Sequence, residues 1–101
     1  MLLKPTTLTG NSGTYPTAGT GIATGGKVND IANNTMSLAI QGTFSSATFK
    51  LQGSLDGTTW TDITSASLTA AGSVRTTERW PFVQLVWSGG AGSVSVKAAI
   101  I

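Results

Sequence analysis

Apolar and polar side chains alternate one by one along the chain from residue 36 onward. A two-residue period is typical of β-strands that bury one face, whereas an amphipathic helix repeats its apolar residues every three or four positions. The apolar positions form four rows: Met36, Leu38 and Ile40; Phe49, Leu51 and Leu55, with Gly53 between them; Val83, Leu85 and Trp87; and Val94, Val96, Ala98 and Ile100. No stretch keeps a helical period. The pattern predicts an all-β domain.

Turn-forming residues separate the rows. They are Gly42, Asp56-Gly57, Ala71-Gly72, and Gly89-Gly90 with Gly92. The pair Asp56-Gly57 suits a two-residue type I′ turn, in which both central residues need positive φ. Short strands about 8–12 residues apart are typical of an antiparallel sandwich or a small barrel. With 101 residues the chain is long enough for one such domain and too short for two.

The N-terminal third lacks this alternation. Residues 6–35 are roughly two-thirds Gly, Thr, Asn and Ser, well above average usage. Their apolar side chains are too sparse to build a core: Leu8, Tyr15, Ile22, Val28 and Ile31. We expect residues 1–35 to be an extended N-terminal arm, an edge strand or a flexible tail. Residues 36–101 are then the sandwich core of a single domain.

Residues that carry enzyme chemistry are scarce. The chain has no histidine and no cysteine, which removes the commonest general base, the usual nucleophile pairs and the usual zinc and iron ligands. Its carboxylates are Asp30, Asp56, Asp62 and Glu78, and neither a calcium-loop motif nor a phosphate-binding glycine loop is present. A glycosidase-type pair of Asp56 and Asp62, or a calcium site, is the alternative. We expect a protein that works by binding or assembly, with no catalytic residue, cofactor or metal.

Charge is low, because only 10 % of the residues are charged and the formal net charge is +2; an average globular protein has about 25 % charged residues. Such a surface loses little hydration free energy when another surface covers it. The low charge therefore favours extensive contact in an assembly, or a neutral secreted domain. The positive excess is too small for a dedicated nucleic-acid binder. We interpret Lys50, Arg75 and Arg79 with Trp60 and Trp80 as strand-face packing and expect no nucleic-acid partner.

Targeting signals are not evident. The first three residues are followed at once by Lys4 and Pro5. No segment has the length and hydropathy of a signal peptide or a membrane span. We expect synthesis in a cytosol and no membrane partner; outside a cell, the protein would arrive by lysis or as cargo.

Residues 47–63, ATFKLQGSLDGTTWTDI, carry the most specific pattern in the chain. This segment resembles the strand–turn–strand of discoidin-like, galactose-binding-like β-sandwiches, whose members often read (L/V)xGSxDGxxWxxL. The matching positions are Leu51, Gly53, Ser54, Asp56, Gly57, Trp60 and Ile63. Residues 81–100 resemble the closing hairpin of the same domains, with Gln84 where the pattern often has Arg. The resemblance implies a jelly-roll or discoidin-like sandwich, shorter than the usual discoidin unit and without its flanking cysteines.

The same two segments, in a cysteine-free chain rich in Thr, Gly and Ala, also resemble small structural proteins of tailed bacteriophages. In those proteins such sandwiches serve as capsid decoration (cement) proteins, head fibres and tail-fibre modules. The resemblance implies a virion protein made in the host cytoplasm and bound to the major capsid protein on the capsid surface. We expect a homotrimer around a local threefold axis. The N-terminal arm would then cross neighbouring capsid subunits, and its apolar anchors would be Leu2, Leu3, Leu8 and Tyr15.

The alternative function is a glycan- or receptor-binding module of a tail fibre or a secreted protein. Such a module would stack a sugar on an exposed tryptophan. Trp80 is the tryptophan that we expect to be most exposed. Trp60 is the second candidate, although packing at the sheet edge is its simpler interpretation. Trp87 lies in register with Val83 and Leu85 and is predicted to belong to the core.

Overall fold

The computed structural model describes residues 3–16, 21–24, 36–44, 47–78, 80–89 and 94–101. Within these ranges the chain forms nine β-strands and no helix. The strands are β1 (Leu3–Gly10), β2 (Ser12–Tyr15), β3 (Ile22–Ala23), β4 (Met36–Thr43), β5 (Ala47–Ser54), β6 (Thr61–Leu68), β7 (Gly72–Thr76), β8 (Phe82–Gly89) and β9 (Val94–Ile100). Several positions singled out above lie outside the described residues: Leu2, Val28, Asp30, Ile31, Arg79, Gly90 and Gly92.

The strands form two antiparallel sheets that pack face to face. Sheet A has the strand order β1-β9-β4-β7, and sheet B has the order β2-β8-β5-β6, with the short β3 also paired with β8. Both sheets contribute to the core between them. Leu38 and Ile40 of sheet A and Phe49 and Leu85 of sheet B are fully buried there. The predicted all-β, antiparallel β-sandwich is confirmed.

Strands from the first half of the chain pair with strands from the second half, as in a long hairpin that is folded back on itself. β1 pairs with β9, β2 with β8, β4 with β7 and β5 with β6. Two further pairings, β4 with β9 and β5 with β8, roll this long hairpin into the two sheets. This connectivity is that of a jelly roll, one of the two sandwich types that the resemblance implied.

The alternating rows of apolar residues fill the core. Every apolar position predicted for β4, β8 and β9 is buried. The row in β5 is confirmed for Phe49 and Leu51 but is wrong for Leu55, whose side chain is 74 % exposed. β5 ends at Ser54, whose buried hydroxyl accepts a 2.8 Å hydrogen bond from the backbone N–H of Gly57. Because the chain turns away from the sheet there, alternation no longer determines burial at Leu55.

The type I′ turn predicted at Asp56-Gly57 is not formed. Gly57 has a φ of 82°, but no described residue other than glycine has positive φ. Residues 55–60 join β5 to β6 instead. Asp56 Oδ1 accepts hydrogen bonds from the backbone N–H groups of Thr58 and Thr59 at 2.9 and 3.0 Å. Because this side chain satisfies two backbone donors, the longer turn needs no second residue in the left-handed region.

The N-terminal segment belongs to the sandwich, so the predicted arm is wrong for residues 3–15. β1 is an edge strand of sheet A beside β9, and β2 lies at the edge of sheet B beside β8. Leu3 and Leu8, predicted as interface anchors, are only 6 % and 2 % exposed and are part of the core. The edge-strand alternative therefore describes residues 3–15.

A β-bulge in β1 explains how Leu3 and Leu8 can both point into the core. Leu3 and Leu8 are five positions apart, and a regular strand would point them to opposite faces. The register shifts between Leu3 and Thr6, where three steps along β1 match two steps along β9. The extra residue turns both leucines toward sheet B.

Candidate functional site

Trp80 covers one end of the core, where the β5–β6 and β7–β8 connections meet. Its ring lies over Gly53, at a position that any Cβ atom would fill. The Thr24 hydroxyl donates a 2.6 Å hydrogen bond to the Trp80 carbonyl oxygen, and Trp80 Nε1 donates a 3.4 Å hydrogen bond to Glu78 Oε1. The tryptophan that we expected to be most exposed is therefore partly buried and held in place.

Trp60 lies against the sheet close to the same end. Its ring contacts Gly21, where a Cβ atom would also lie 2.9 Å from the Val83 carbonyl oxygen. Trp60 precedes β6 while Val83 is in β8, and β5 lies between these two strands. The partly buried ring of Trp60 therefore lies near β8 as well as near the start of β6.

The two tryptophans proposed to stack a ligand do not both line the small pocket at this end of the sandwich. A small pocket of about 160 Å³ lies beside Trp80, and Trp60 is not among its lining residues. The lining residues are Leu55, Asp56, Thr59, Thr61 and Trp80. This pocket presents part of one aromatic ring, one carboxylate and two threonine side chains to solvent.

The Asp56 carboxylate at this pocket is held by hydrogen bonds from its own loop. The backbone N–H groups of Thr59 and then Thr58, together with the Ser54 hydroxyl, keep the pKa of Asp56 well below its usual range. A carboxylate that accepts several hydrogen bonds is stabilised in its charged form. Asp56 therefore stays ionised, and its carboxylate stabilises the turn between β5 and β6.

Asp62 belongs to a polar ladder that crosses three strands on the outer face of sheet B. Its Oδ1 accepts a 2.8 Å hydrogen bond from the Gln52 amide, and its Oδ2 lies 3.1 Å from Lys50 Nζ. Gln84 extends the ladder by donating a 2.6 Å hydrogen bond to Gln52 Oε1. The Gln52 amide, and after it Lys50, lower the pKa of Asp62. The negative charge on this face is thus matched by Lys50.

The outer face of sheet A carries a broad, shallow groove of about 710 Å³. The groove crosses all four strands, because its lining residues come from β1, β9, β4 and β7 and from the turn before β7. Most of its side chains are small, and one is charged. The lining residues are Pro5, Ala39, Ile40, Gln41, Gly42, Ala71, Gly72, Ser73, Lys97, Ala98 and Ala99.

Positive charge lies along this groove. Lys97 lines the groove. Arg75 follows Ser73 by two residues in β7 and so projects from the same face. Lys4 comes directly after Leu3, which points into the core, and so projects outward from β1. All three cations are exposed. Among the described residues the one ion pair joins Lys50 to Asp62 on sheet B. The outer face of sheet A therefore carries cations without an acidic partner in the described part of the chain.

None of the three predicted interface anchors that the structure describes lies on this face. Leu3 and Leu8 point into the core, Tyr15 packs against the core from β2, and Leu2 is outside the described residues. The groove lies on the outer face of sheet A, and the apolar residues that predicted the core lie on the inner face of the same strands. Small residues at those outward positions, such as Ala39, were the signal that the sequence offered.

Other indicators give no assignment. Within the described ranges, Asp and Glu side chains form no group of three that could hold a metal ion. The same part of the chain contains no helix that is long and apolar enough to cross a membrane. Comparison with known proteins gives no match to a family model, to a curated protein or to a solved structure.

Proposed function

We propose that this protein is a capsid decoration protein of a tailed bacteriophage, which binds the outer surface of the head and stabilises it. The observation that supports this most is the outer face of sheet A. Its groove is wide, is lined mostly by small side chains, and has Lys97 as its one charged lining residue. Such a face can approach another protein surface closely, and covering it removes few charges from water.

The size of this face favours binding by several copies together. Four strands about 4.8 Å apart, with up to eight residues per strand, give an area of about 500 Å². Each partner in a stable protein interface buries about 800 Å². One copy therefore binds weakly by this face alone, whereas a homotrimer joins three such contacts and gains avidity.

The direct test is binding to heads of the virus that carries this gene, purified after the gene has been deleted. Wild-type protein is expected to co-sediment with these heads and to raise the temperature at which they break. Ala39→Tyr, which places a large neutral side chain in the groove, is expected to reduce binding at least tenfold.

Thr48→Tyr is the matched control, because Thr48 is at an outward position in β5, on the opposite sheet. Circular dichroism must show both variants folded. The proposal fails if wild-type protein does not bind the heads, or if Thr48→Tyr and Ala39→Tyr reduce binding equally.

The second candidate function is a glycan- or receptor-binding module. It is supported by the pocket beside Trp80, where an aromatic ring, the exposed Leu55 and the Asp56 carboxylate come together. A sugar that enters this pocket would change the fluorescence of Trp80. Titration with a panel of glycans tests this, with Trp80→Phe as the variant that should remove the signal; an unchanged spectrum across the panel rejects it.

A further inference from the structure

We propose that the groove on the outer face of sheet A binds a short, extended, acidic segment of the partner protein. This inference rests on the proposed function, because it specifies which part of the capsid surface the protein would recognise. It is carried by the charge distribution and by the shape of the groove.

The charges are divided between the two sheets. The cations Lys4, Arg75 and Lys97 lie on sheet A and form no ion pair with an acid among the described residues. The described acids lie elsewhere: Asp62 is on sheet B, paired with Lys50, while Asp56 and Glu78 are in the connections at the end of the sandwich. A surface with unpaired cations favours a partner of opposite charge and disfavours a second copy of itself in a face-to-face dimer.

The shape of the groove selects an extended segment. Its lining residues run across the sheet from Pro5 in β1, through Ala99 and Ala39, to Ser73 in β7. Crossing four strands about 4.8 Å apart takes about 14 Å, which an extended chain covers with four or five residues. A Cβ atom added at Gly72 would meet nothing within 4 Å, so this end of the groove is open.

Nucleic acid fits the groove less well than an acidic peptide. Single-stranded nucleic acid is held by aromatic rings that stack on bases, together with a continuous basic track. The groove has no aromatic lining residue, and Lys97 is its one charged lining residue. Small lining residues such as Ala39 and Ala99 instead leave room for the backbone and short side chains of a peptide.

The experiment uses a fluorescent seven-residue peptide in which Asp alternates with Ala, with both ends blocked. Fluorescence anisotropy at low ionic strength is expected to show binding that weakens as salt rises from about 0.02 M to about 0.2 M. Lys97→Gln and Arg75→Gln are each expected to weaken binding about two- to fivefold, the range typical of one exposed charge pair.

Two controls make the result specific. Lys50→Gln removes a cation from sheet B and is expected to leave peptide affinity unchanged. A peptide with Ser in place of Asp, and an oligonucleotide of the same charge as the acidic peptide, are both expected to bind at least tenfold more weakly. The inference is overturned if the acidic peptide does not bind, or if the Ser peptide or the oligonucleotide binds as well as it does.

Head-binding assays separate this inference from the proposed function. If Ala39→Tyr abolishes head binding but Lys97→Gln, Arg75→Gln and added salt leave it unchanged, the acidic segment is rejected and the decoration function stands. If heads bind no form of the protein while the acidic peptide still binds, the decoration function is rejected and the acidic-peptide site stands alone.

Discussion

Trp87 owes its place in the core to a glycine on the neighbouring strand. Gly13 of β2 is opposite Trp87 of β8, and a Cβ atom at Gly13 would lie 2.5 Å from the Trp87 ring. The ring is almost fully buried, and its Nε1 atom has no hydrogen-bond partner in the described part of the chain. Residue 13 is therefore a packing position, although it lies in the segment that the sequence presented as an arm.

Gly13→Ala is expected to destabilise the domain by about 1–3 kcal/mol, the typical effect of overpacking a core. Urea unfolding followed by Trp fluorescence measures this change. Ser12→Ala, next to it in β2 and exposed, is the control and is expected to change stability by less than about 0.5 kcal/mol. Equal stability of Gly13→Ala and wild type would show that β2 does not pack on Trp87.

The Asp56 turn predicts a pH dependence. Because the folded-state pKa of Asp56 is lowered, the ionised carboxylate stabilises the fold above its unfolded pKa of about 4. This stabilisation is lost as the pH falls toward the folded-state pKa. Asp56→Asn is expected to lower the urea midpoint at pH 7, and its difference from wild type should shrink as the pH drops below about 4.

Glu78→Gln is the matched control for the Asp56 experiment. Its carboxylate lies in another connection and accepts one long hydrogen bond of 3.4 Å from Trp80. The turn assignment is wrong if Asp56→Asn and wild type differ by the same amount at every pH.

At the scale of elements, the segment that was predicted to be an arm contains β1, a strand that the sandwich needs. β9 is the neighbour of both β1 and β4 in sheet A. Without β1 it would become an edge strand and the pockets of Leu3 and Leu8 would open. Removing the N-terminal residues therefore removes part of the core, so a truncation cannot separate binding from folding.

Leu8→Ala is expected to destabilise the domain by about 2–5 kcal/mol, as is typical for a leucine removed from a packed core. Thr7→Ala, its exposed neighbour on the outer face, should have little effect. Chemical unfolding measures both. The arm hypothesis returns if Leu8→Ala keeps full stability and loses only the ability to bind heads.

Sequence reasoning succeeded where the alternation was regular. The rows in β4, β8 and β9 predicted strands, facing and burial because each strand keeps a strict period of two. It failed at β1 because the bulge between Leu3 and Thr6 breaks that period. At Leu55 it failed because the Ser54 and Asp56 side chains, rather than the sheet, determine the path of the chain. The groove on sheet A was not predicted, since it depends on which strands become neighbours.

At the scale of the whole molecule, charge and shape divide the sandwich into two unlike faces. Sheet A presents small residues and unpaired cations, and sheet B presents a polar ladder in which Lys50 and Asp62 are paired. A decoration protein that attaches by sheet A would turn the hydrated ladder of sheet B toward solvent. The two faces therefore suit a subunit bound to a surface on one side.

The expected homotrimer can be tested without any partner. Light scattering on a sizing column is expected to give three times the chain mass. Since dilution favours separated chains, the unfolding temperature Tm should also rise with protein concentration. A single-chain mass together with a Tm that does not change over a hundredfold range of concentration would reject a trimer formed before binding.

The pairing of β1 with β9 also determines how the domain responds to force. Leu3 is opposite Ile100, so the first and last strands leave the sandwich side by side. Pulling these two residues apart acts along the hydrogen bonds between antiparallel strands, which lie perpendicular to the strands, and breaks them one after another. Tension along the strands loads all hydrogen bonds of a pair at once. If the proposed attachment by the face of sheet A is correct, stretching of the shell along the strands would strain the subunit in this second way, and the subunit would resist that stretching better than it resists being peeled open from its ends.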